Sequence, residues 1–229
     1  MSASTSADLD LGAPLVIGFG ITGQAIARAL VRRGPHPVII DDRPNEAGRA
    51  VAAELACSLI EAPDLDRLRA EIVASTVVLP SPGIPASHPL FALSAEVGRP
   101  IRSEFDLAAL WDQRPLVGIT GTNGKTTVTM LVTDALERSG IRAAAAGNTE
   151  VPLVEALGDE SLDVFVVEAS SFRLEHSGRF RPGVATWLNF APDHLDAHTS
   201  LAAYEAAKAS LWADLPDGAT VIANAEDDV

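Results

Sequence analysis

The sequence has little cysteine and little positive charge, and each shortage excludes a class of protein. Cys57 is the single cysteine among 229 residues, so no internal disulfide can form and a reducing, cytoplasmic setting is predicted. Lysine and arginine number 17 against 31 aspartate and glutamate, which gives a net charge of −14. Nucleic acid and anionic membranes both attract positively charged surfaces, so neither is expected as a general partner.

Long hydrophobic runs are also missing. No apolar stretch approaches the roughly 20 residues that cross a bilayer, so no membrane insertion is expected. Residues 1–14 lack the basic start and apolar run of a signal peptide and are predicted to be a flexible tail. Hydrophobic residues still make up 47% of the chain, and charged residues 21%. A substantial folded core can therefore form.

Short β-branched runs alternate with alanine-rich helical segments along the chain. The strand patterns include PLVIGFG, PVIIDD and STVVLPSPG in the first half, and PLVGIT, DVFVVEASS and VATWLNF in the second. PIRSEF, at 100–105, reads as extended. Such alternation indicates an α/β fold with parallel sheets. Because the pattern pauses at WDQRP (111–115), we predict a Rossmann-like domain over 15–113 and a P-loop-type α/β ATPase domain over 114–229.

The first glycine-rich loop, GFGITG at 18–23, matches G-x-G-x-x-G between a strand and a helix. Its glycines permit a tight turn and the close approach of a diphosphate, and the helix N-terminus favours anions. Asp41 and Asp42 close the second strand, where an acidic residue would reach a ribose hydroxyl. On these residues alone NAD is the natural ligand of a dehydrogenase, and a glycine turn that only packs is the alternative.

The second glycine-rich loop, GITGTNGKTT at 118–127, departs from the strict P-loop pattern because Ile119 stands where the first glycine is expected. The loop can still bind phosphate with isoleucine at this position. Gly121 and Gly124 let backbone N–H groups converge on phosphate oxygens, and Lys125 adds a positive charge. The Thr126 hydroxyl can bind Mg²⁺. The sequence therefore predicts a phosphate-binding loop.

Two further features are candidates for a metal site, whereas a third residue, Lys208, carries no such signal by itself. Glu168 ends the apolar strand VFVVE, where a buried carboxylate is costly unless it is paired or binds a cation. The segment DHLDAH (193–198) carries four potential ligands, which fit either a zinc site or a solvated polar turn. Lys208 lies in an alanine-rich helix, where a lysine is ordinarily exposed.

The loop TGTNGKTT resembles the ATP-binding loop of the Mur ligases and the related folylpolyglutamate synthases. Further landmarks follow the Mur ligase order and are similar to the branch that adds D-glutamate; they are GFGITG, SPGIP (81–85), AGN (146–148), VVEASSF (166–172), LNFAPDHLDAH (188–198) and YEAAKASLW (204–212). The resemblance extends from about residue 15 to residue 229.

The resemblance implies an ATP-dependent amide-bond ligase of peptidoglycan precursor synthesis, which joins D-glutamate to UDP-N-acetylmuramoyl-L-alanine through an acyl phosphate. It also implies the use of ATP and two Mg²⁺ ions, and a monomer is expected. The implied ATP-binding residues are Gly121, Thr122, Asn123, Gly124, Lys125, Thr126 and Thr127. The implied catalytic residues are Lys125, His194 and Lys208, and the implied metal ligands are Thr126, Glu168, His194 and a carbamylated Lys208; His198 would then be incidental.

The same resemblance assigns the first domain to the UDP substrate rather than to NAD. The implied substrate-binding residues are Gly20, Ile21, Thr22, Asp41, Arg43, Ser81, Gly83, Asn148 and Ser170. Two departures lie close by, since Thr149-Glu150 follow AGN where the family has a small apolar residue and a glycine, and Arg173 stands where relatives commonly have glutamine.

Relatives carry a third domain that supplies D-glutamate contacts, and the sequence ends before it. We therefore expect the central domain to be incomplete and the 229 residues not to complete ligation alone. Three alternatives stay open at this point: another ligase of the superfamily, an NAD-dependent dehydrogenase, and a non-catalytic nucleotide-binding module.

Overall fold

The computed structural model describes residues 9–193, 198 and 200–227. The strands are β1 (Pro14–Ile17), β2 (Val38–Asp41), β3 (Leu59–Glu61), β4 (Val77–Pro80), β5 (Leu116–Thr120), β6 (Ala143–Gly147), β7 (Val164–Glu168), β8 (Val184–Trp187) and β9 (Thr220–Ala223). The helices are α1 (Ile21–Val31), α2 (Glu46–Glu54), α3 (Leu65–Ala74), α4 (Pro89–Glu96), α5 (Glu104–Trp111), α6 (Lys125–Arg138), α7 (Leu153–Ala156), α8 (Ser171–Leu174) and α9 (Leu201–Ala209), followed by a 3₁₀ turn (Ser210–Trp212).

The first sheet contains four parallel strands in the order β3-β2-β1-β4. Two neighbouring strands, β1 and β4, are fully buried runs of PLVI and VVLP, as expected for strands covered on both faces. The chain order reverses at β1, so the crevice between the carboxyl ends of β1 and β4 is where an open α/β sheet binds ligands. GFGITG follows β1 and the SPGIP segment follows β4, so both motifs lie at this crevice.

The second sheet contains five parallel strands in the order β6-β7-β5-β8-β9. β5 leads into the loop 121–124 and α6, with β7 on one side and β8 on the other. Ile119 in β5 lies beside Glu168 in β7, and Thr120 lies beside Trp187 in β8. The predicted α/β class with two parallel sheets is therefore confirmed.

The interpretation of PIRSEF as extended is wrong at its end. Ile101 makes an isolated bridge to Val78, but α5 begins at Glu104. The Ser103 side chain accepts hydrogen bonds from the N–H groups of Phe105 and Asp106, and the Asp106 carboxylate accepts one from the Ser103 N–H. This is a capping box, which stabilises a helix start by satisfying otherwise unpaired donors.

The two sheets and their helices share a hydrophobic core. One cluster of buried side chains contains Ile26 and Phe105 from the first half together with Leu153 and Phe180 from the second. The Phe105 and Phe180 rings stack with their centroids 4.5 Å apart. Since apolar burial is the main stabilising term of a core, this contact fixes the two halves against each other.

The connection between α5 and β5 is also fixed. The Arg114 guanidinium bonds to the Asp112 carboxylate at 2.6 Å and to the carbonyls of Leu157, Asp159 and Leu162.

None of the described helices is long and apolar enough to span a membrane.

Candidate functional site

The helices after the two glycine-rich loops begin differently from the other long helices. Side chains cap α2, α3, α4, α5 and α9, from Asn45, Asp64, His88, Ser103 and Ser200. No described side chain caps α1 or α6, whose N-cap residues are Gly20 and Gly124. Their first-turn N–H groups and the positive end of each helix dipole can therefore serve an anion.

The loop 121–124, called the phosphate loop below, is held by the backbone conformation of its glycines and by two lysine side chains. Gly124 has φ +79°, a left-handed conformation that a side chain would oppose. The Lys125 ammonium donates to the carbonyls of Gly121 and Thr122 at 3.0 and 2.9 Å. The Lys208 ammonium, from α9, donates to the same Gly121 carbonyl at 2.7 Å. Two lysine side chains thus lie at the edge of the loop.

Glu168 connects the phosphate loop with the segment after β6. Its Oε2 accepts from the Thr126 hydroxyl at 2.8 Å, and its Oε1 accepts from the Asn148 amide at 2.9 Å. The Glu168 residue is buried, while Thr126 and Asn148 are exposed. The structure therefore brings together the two described oxygen ligands that were predicted for a metal, with Asn148 beside them.

Lys208 is buried, with 1% of its surface exposed. Burial, aided by the neighbouring Lys125 charge, lowers the pKa of the Lys208 ammonium to about 7, while Asp193 acts in the opposite direction. A substantial fraction of this amine is therefore neutral near pH 7, which makes it nucleophilic. The expectation that a lysine in this helix is exposed does not hold here.

Asn189, just after β8, fixes the shape of the phosphate loop. Its Oδ1 accepts from the backbone N–H groups of Thr122 and Asn123 at 3.1 and 2.9 Å. Its Nδ2 donates to the Asn123 carbonyl at 3.1 Å. The Thr122 hydroxyl is held by the backbone of Ala191. Sequence reasoning missed Asn189, whose only signal was its position at a strand end next to β5.

The first glycine-rich loop is held by its neighbours at the crevice. A Cβ atom on Gly23 would lie 2.0 Å from the Gly18 carbonyl oxygen, so α1 can approach β1 only with glycine here. The Asp41 carboxylate accepts from the backbone N–H groups of Phe19 and Arg43 at 2.5 and 2.8 Å. Ser81 donates to the Gly18 carbonyl at 2.7 Å.

Two cavities lie on either side of the segment after β4. One, of about 230 Å³, is lined by Asp41, Arg43 and Gly83 together with Gly18 and His88. The other, also about 230 Å³, lies between the two halves and is lined by Ser81, Glu104, Phe91, Phe172, Arg173 and His176. Of the predicted substrate residues of the first half, Asp41, Arg43 and Gly83 line one cavity and Ser81 lines the other. Gly20, Ile21 and Thr22 line neither.

The remaining predicted substrate residues lie at different depths. Ile21 is 68% exposed, whereas Thr22 is buried and accepts a hydrogen bond from Arg173 at 3.0 Å. The Ser170 hydroxyl is buried and makes no hydrogen bond within the described part of the chain. The Thr149 hydroxyl bonds to the Val151 backbone in an exposed turn.

The segment DHLDAH is described only at its ends. His194 and Asp196 lie outside the described residues. His198 is buried and its Nε2 lies 2.9 Å from the Ser171 hydroxyl. Within the described residues no group of three or more His, Cys, Asp or Glu side chains could hold a metal ion. The choice between a metal site and a polar turn at 193–198 stays open.

Fold and site together define an α/β protein in which two parallel sheets each present a glycine-rich loop at the start of an uncapped helix. Comparison with known families extends this description. Residues 13–103 match the family described as Mur ligase MurD-like, N-terminal domain, and residues 119–229 match the Mur ligase middle domain.

Curated relatives agree with these matches. The chain is 40% identical over 222 residues to a UDP-N-acetylmuramoylalanine–D-glutamate ligase of Frankia casuarinae, in a match that covers 93% of this chain and 45% of the relative. It is 42% identical over 200 residues to the ligase of the same name from Desulfotalea psychrophila, covering 86% and 43%. The chain therefore spans less than half the length of these relatives.

Solved structures support the fold. A UDP-N-acetylmuramate:L-alanyl-gamma-D-glutamyl-meso-diaminopimelate ligase from Neisseria meningitides superposes with a TM-score of 0.62 at 17% identity, covering 96% of this chain and 73% of that one. A murein peptide ligase from Psychrobacter arcticus gives 0.56 at 18% identity, covering 94% and 49%.

The chain belongs to the Mur ligase family. Members of this family are in general ATP-dependent and use magnesium.

Proposed function

We propose that these residues form the UDP-substrate and ATP-binding parts of an ATP-dependent ligase that joins D-glutamate to UDP-N-acetylmuramoyl-L-alanine in peptidoglycan synthesis. Residues 15–113 would bind the UDP substrate and residues 114–229 would bind ATP. The observation that carries the proposal is the contact between Thr126 and Glu168 beside the uncapped start of α6. The names of the curated relatives supply the substrates.

ATP is proposed to bind along 121–127. The first-turn N–H groups of α6 and the Lys125 ammonium would hold the phosphates, and Lys125 would neutralise charge that builds up during transfer. To do so, its ammonium has only to exchange the carbonyls of Gly121 and Thr122 for phosphate oxygens. The carboxylate of the UDP substrate would attack the γ-phosphate to give an acyl phosphate and ADP. The amine of D-glutamate would then displace phosphate and form the amide.

The donor set fits magnesium, which prefers oxygen ligands. Thr126 and Glu168 would hold one ion, and His194 with a carbamylated Lys208 would hold a second. When bound, magnesium supplies Lewis-acid stabilisation of phosphate charge. The buried Glu168 carboxylate, held by Thr126 and Asn148, is already oriented toward the loop.

Carbamylation of Lys208 would proceed by attack of the neutral amine on CO₂, with formation of an N–C bond and loss of a proton to give an anionic carbamate. The lowered pKa of Lys208 supports this step because the charged ammonium has no lone pair. The carbamate would also be stabilised by the neighbouring Lys125 charge.

The metal assignment is tested by titrating ATP into the chain with and without Mg²⁺. Glu168→Gln should lose the part of the ATP affinity that depends on Mg²⁺ and keep the part that does not. Glu155→Gln, an exposed residue of α7, is the matched control and should behave as wild type. Equal Mg²⁺ dependence in Glu168→Gln and wild type would contradict the assignment.

The modification is tested separately by ¹³C NMR in ¹³C-bicarbonate. The wild-type chain should show a carbamate resonance that is absent from Lys208→Arg and present in Lys125→Arg. A carbamate signal that survives Lys208→Arg would assign the modification elsewhere.

A further inference from the structure

Arg173 and Glu104 form a buried ion pair that joins the two halves of the molecule. The Arg173 guanidinium directly contacts the Glu104 carboxylate, and the two residues are 6% and 2% exposed. Glu104 is the first residue of α5, whereas Arg173 lies in α8, after β7. Burial lowers the pKa of Arg173 to about 10, so the group stays charged at neutral pH. Because desolvation cancels much of the attraction in such a pair, stability alone does not explain its presence.

The same guanidinium reaches the first glycine-rich loop. Its Nη2 donates to the Thr22 Oγ1 at 3.0 Å, across 151 residues of chain. Thr22 is the second residue of α1, next to the uncapped helix start. A hydroxyl oxygen that accepts a hydrogen bond keeps its own proton to donate elsewhere. The contact therefore leaves the Thr22 hydroxyl as a donor.

We propose that Arg173 is a positioning residue for a diphosphate held at the loop 18–23. The guanidinium donates to a lone pair of the Thr22 oxygen, so the hydroxyl proton points away from Arg173 and toward an anionic oxygen. This hydrogen bond also makes the hydroxyl a stronger donor. Glu104 keeps Arg173 in this orientation and balances its charge. The inference rests on the proposed function, because it takes the UDP group as the ligand of this loop.

The surrounding space is consistent with this role. Arg173, Glu104 and Ser81 line the cavity of about 230 Å³ between the two halves. Ser81 in turn donates to the carbonyl of Gly18, the first residue of the loop. The ion pair therefore lines a cavity whose wall residue Ser81 contacts the loop, so a residue of the second half can influence binding in the first.

The test compares UDP with uridine, which lacks the diphosphate, by calorimetric titration. Replacing Arg173 alone would leave Glu104 buried without a partner, so both are changed in Glu104→Met/Arg173→Met. We expect this variant to bind UDP about ten-fold more weakly, as for one oriented hydrogen bond to a charged group, and uridine within about two-fold of wild type. The exposed pair Arg49 and Glu61, changed to Met together, is the matched control and should leave both affinities unchanged.

A double-mutant cycle with Thr22→Val separates positioning from direct contact. Thr22→Val alone should also weaken UDP about ten-fold and spare uridine, and adding it to the Met pair should cause little further loss. This single variant preserves the ion pair, so it tests the inference even if the Met pair fails to fold.

Several results would overturn the inference. These are an unchanged UDP affinity in Thr22→Val or in a folded Met pair, equal losses for UDP and uridine, and a loss from the Met pair that persists fully in the Thr22→Val background. The last result would mean that Arg173 contacts the anion directly. Failure of the wild-type chain to bind UDP at all would instead contradict the proposed function, and this inference with it.

Discussion

At the scale of the single residue, Lys208 couples stability to pH. Its pKa is lowered by burial, and then by Lys125, from 10.5 to about 7. Between these two values the unfolded chain binds a proton at this lysine that the folded chain does not. The free energy of unfolding should therefore rise with pH in this window, and below about pH 7 the gradient should vanish because both states are charged.

Lys208→Met removes this titration. Urea unfolding of wild type and variant from about pH 6 to about pH 9, in CO₂-free buffer, should give a stability difference that shifts in favour of wild type by up to about 1.4 kcal/mol per pH unit above pH 7. A difference that does not change with pH would mean that the lysine keeps an ordinary pKa in the folded state.

Asn189 gives a second prediction at this scale. Asn189→Ala removes three hydrogen bonds that hold the backbone of Thr122 and Asn123. We expect a loss of about 1–3 kcal/mol in the free energy of unfolding. ATP affinity should fall about ten-fold, because the N–H groups of the loop are no longer held in place.

The matched control is Asn224→Ala, the same substitution just after β9. Asn224 is exposed and its side chain accepts one local bond, from the Glu226 N–H. Unfolding and ATP titration should be unchanged in this variant. If Asn189→Ala behaves like Asn224→Ala, the loop holds its shape without the amide.

Residues differ in how far the sequence predicts their roles. The resemblance implied that Glu168 and Thr126 share a metal site, and the structure brings their side chains together. The partner of Arg173 could not be predicted, since Glu104 lies 69 residues earlier in the chain and in the other half of the molecule. The burial of Lys208 could not be predicted either, because its alanine-rich helix has no clear apolar face.

At the scale of the element, the segment that follows β7 serves both loops. Glu168, at the end of the strand, faces the phosphate loop through Thr126. Five residues later Arg173, in α8, faces the first glycine-rich loop through Thr22. A shift of this one short segment would therefore disturb both halves together.

The close packing of α1 on β1 gives a prediction about two glycines of one loop. A Cβ on Gly23 would meet the Gly18 carbonyl, so Gly23→Ala should destabilise the fold by about 3 kcal/mol or more. Gly20 has φ −73°, and a Cβ added there would have no neighbour within 4 Å, so Gly20→Ala should stay within about 0.5 kcal/mol of wild type.

Urea unfolding of the two variants makes the comparison. Equal destabilisation by Gly23→Ala and Gly20→Ala would contradict the packing argument. A normal stability for both would mean that α1 can move away from β1 at little cost.

Elements were predictable where a pattern was long. The runs VVLP and VFVVE indicated the buried strands β4 and β7, and the alanine-rich segments indicated the helices α1 and α9. Helix α5 was not predicted, because it runs into the polar segment 111–115, where the alternation of strands and helices pauses. Its start was nevertheless readable, since Ser103 followed by Asp106 is a capping signal.

At the scale of the whole molecule, the shared core predicts that the two halves unfold together. Phe105 and Phe180 stack across the contact between the halves. Phe180→Ala should therefore lower the free energy of unfolding by about 3–5 kcal/mol and destabilise both halves. A variant that keeps only Trp111 reports on the first half by fluorescence, while circular dichroism reports on the whole chain. Coincident urea transitions are expected, and two separate transitions would show that the halves fold independently.

The two parallel sheets could be predicted from the sequence, but the contact between them could not. Alternating strands and helices determine the class of fold, since each helix must cover a sheet. Which buried faces of α1, α5 and α7 meet depends on side-chain shape, which no periodicity reveals. The domain boundary near residues 113–115 stays a prediction, and it lies between α5 and β5.

The most direct measurement is a calorimetric titration of this chain with UDP-N-acetylmuramoyl-L-alanine, with NAD⁺ as the control ligand. We predict saturable binding of the UDP ligand at one site, weakened by Thr22→Ala or Asp41→Ala, and no binding of NAD⁺. Binding of NAD⁺ without binding of the UDP ligand would contradict the proposal and return GFGITG to a dehydrogenase role.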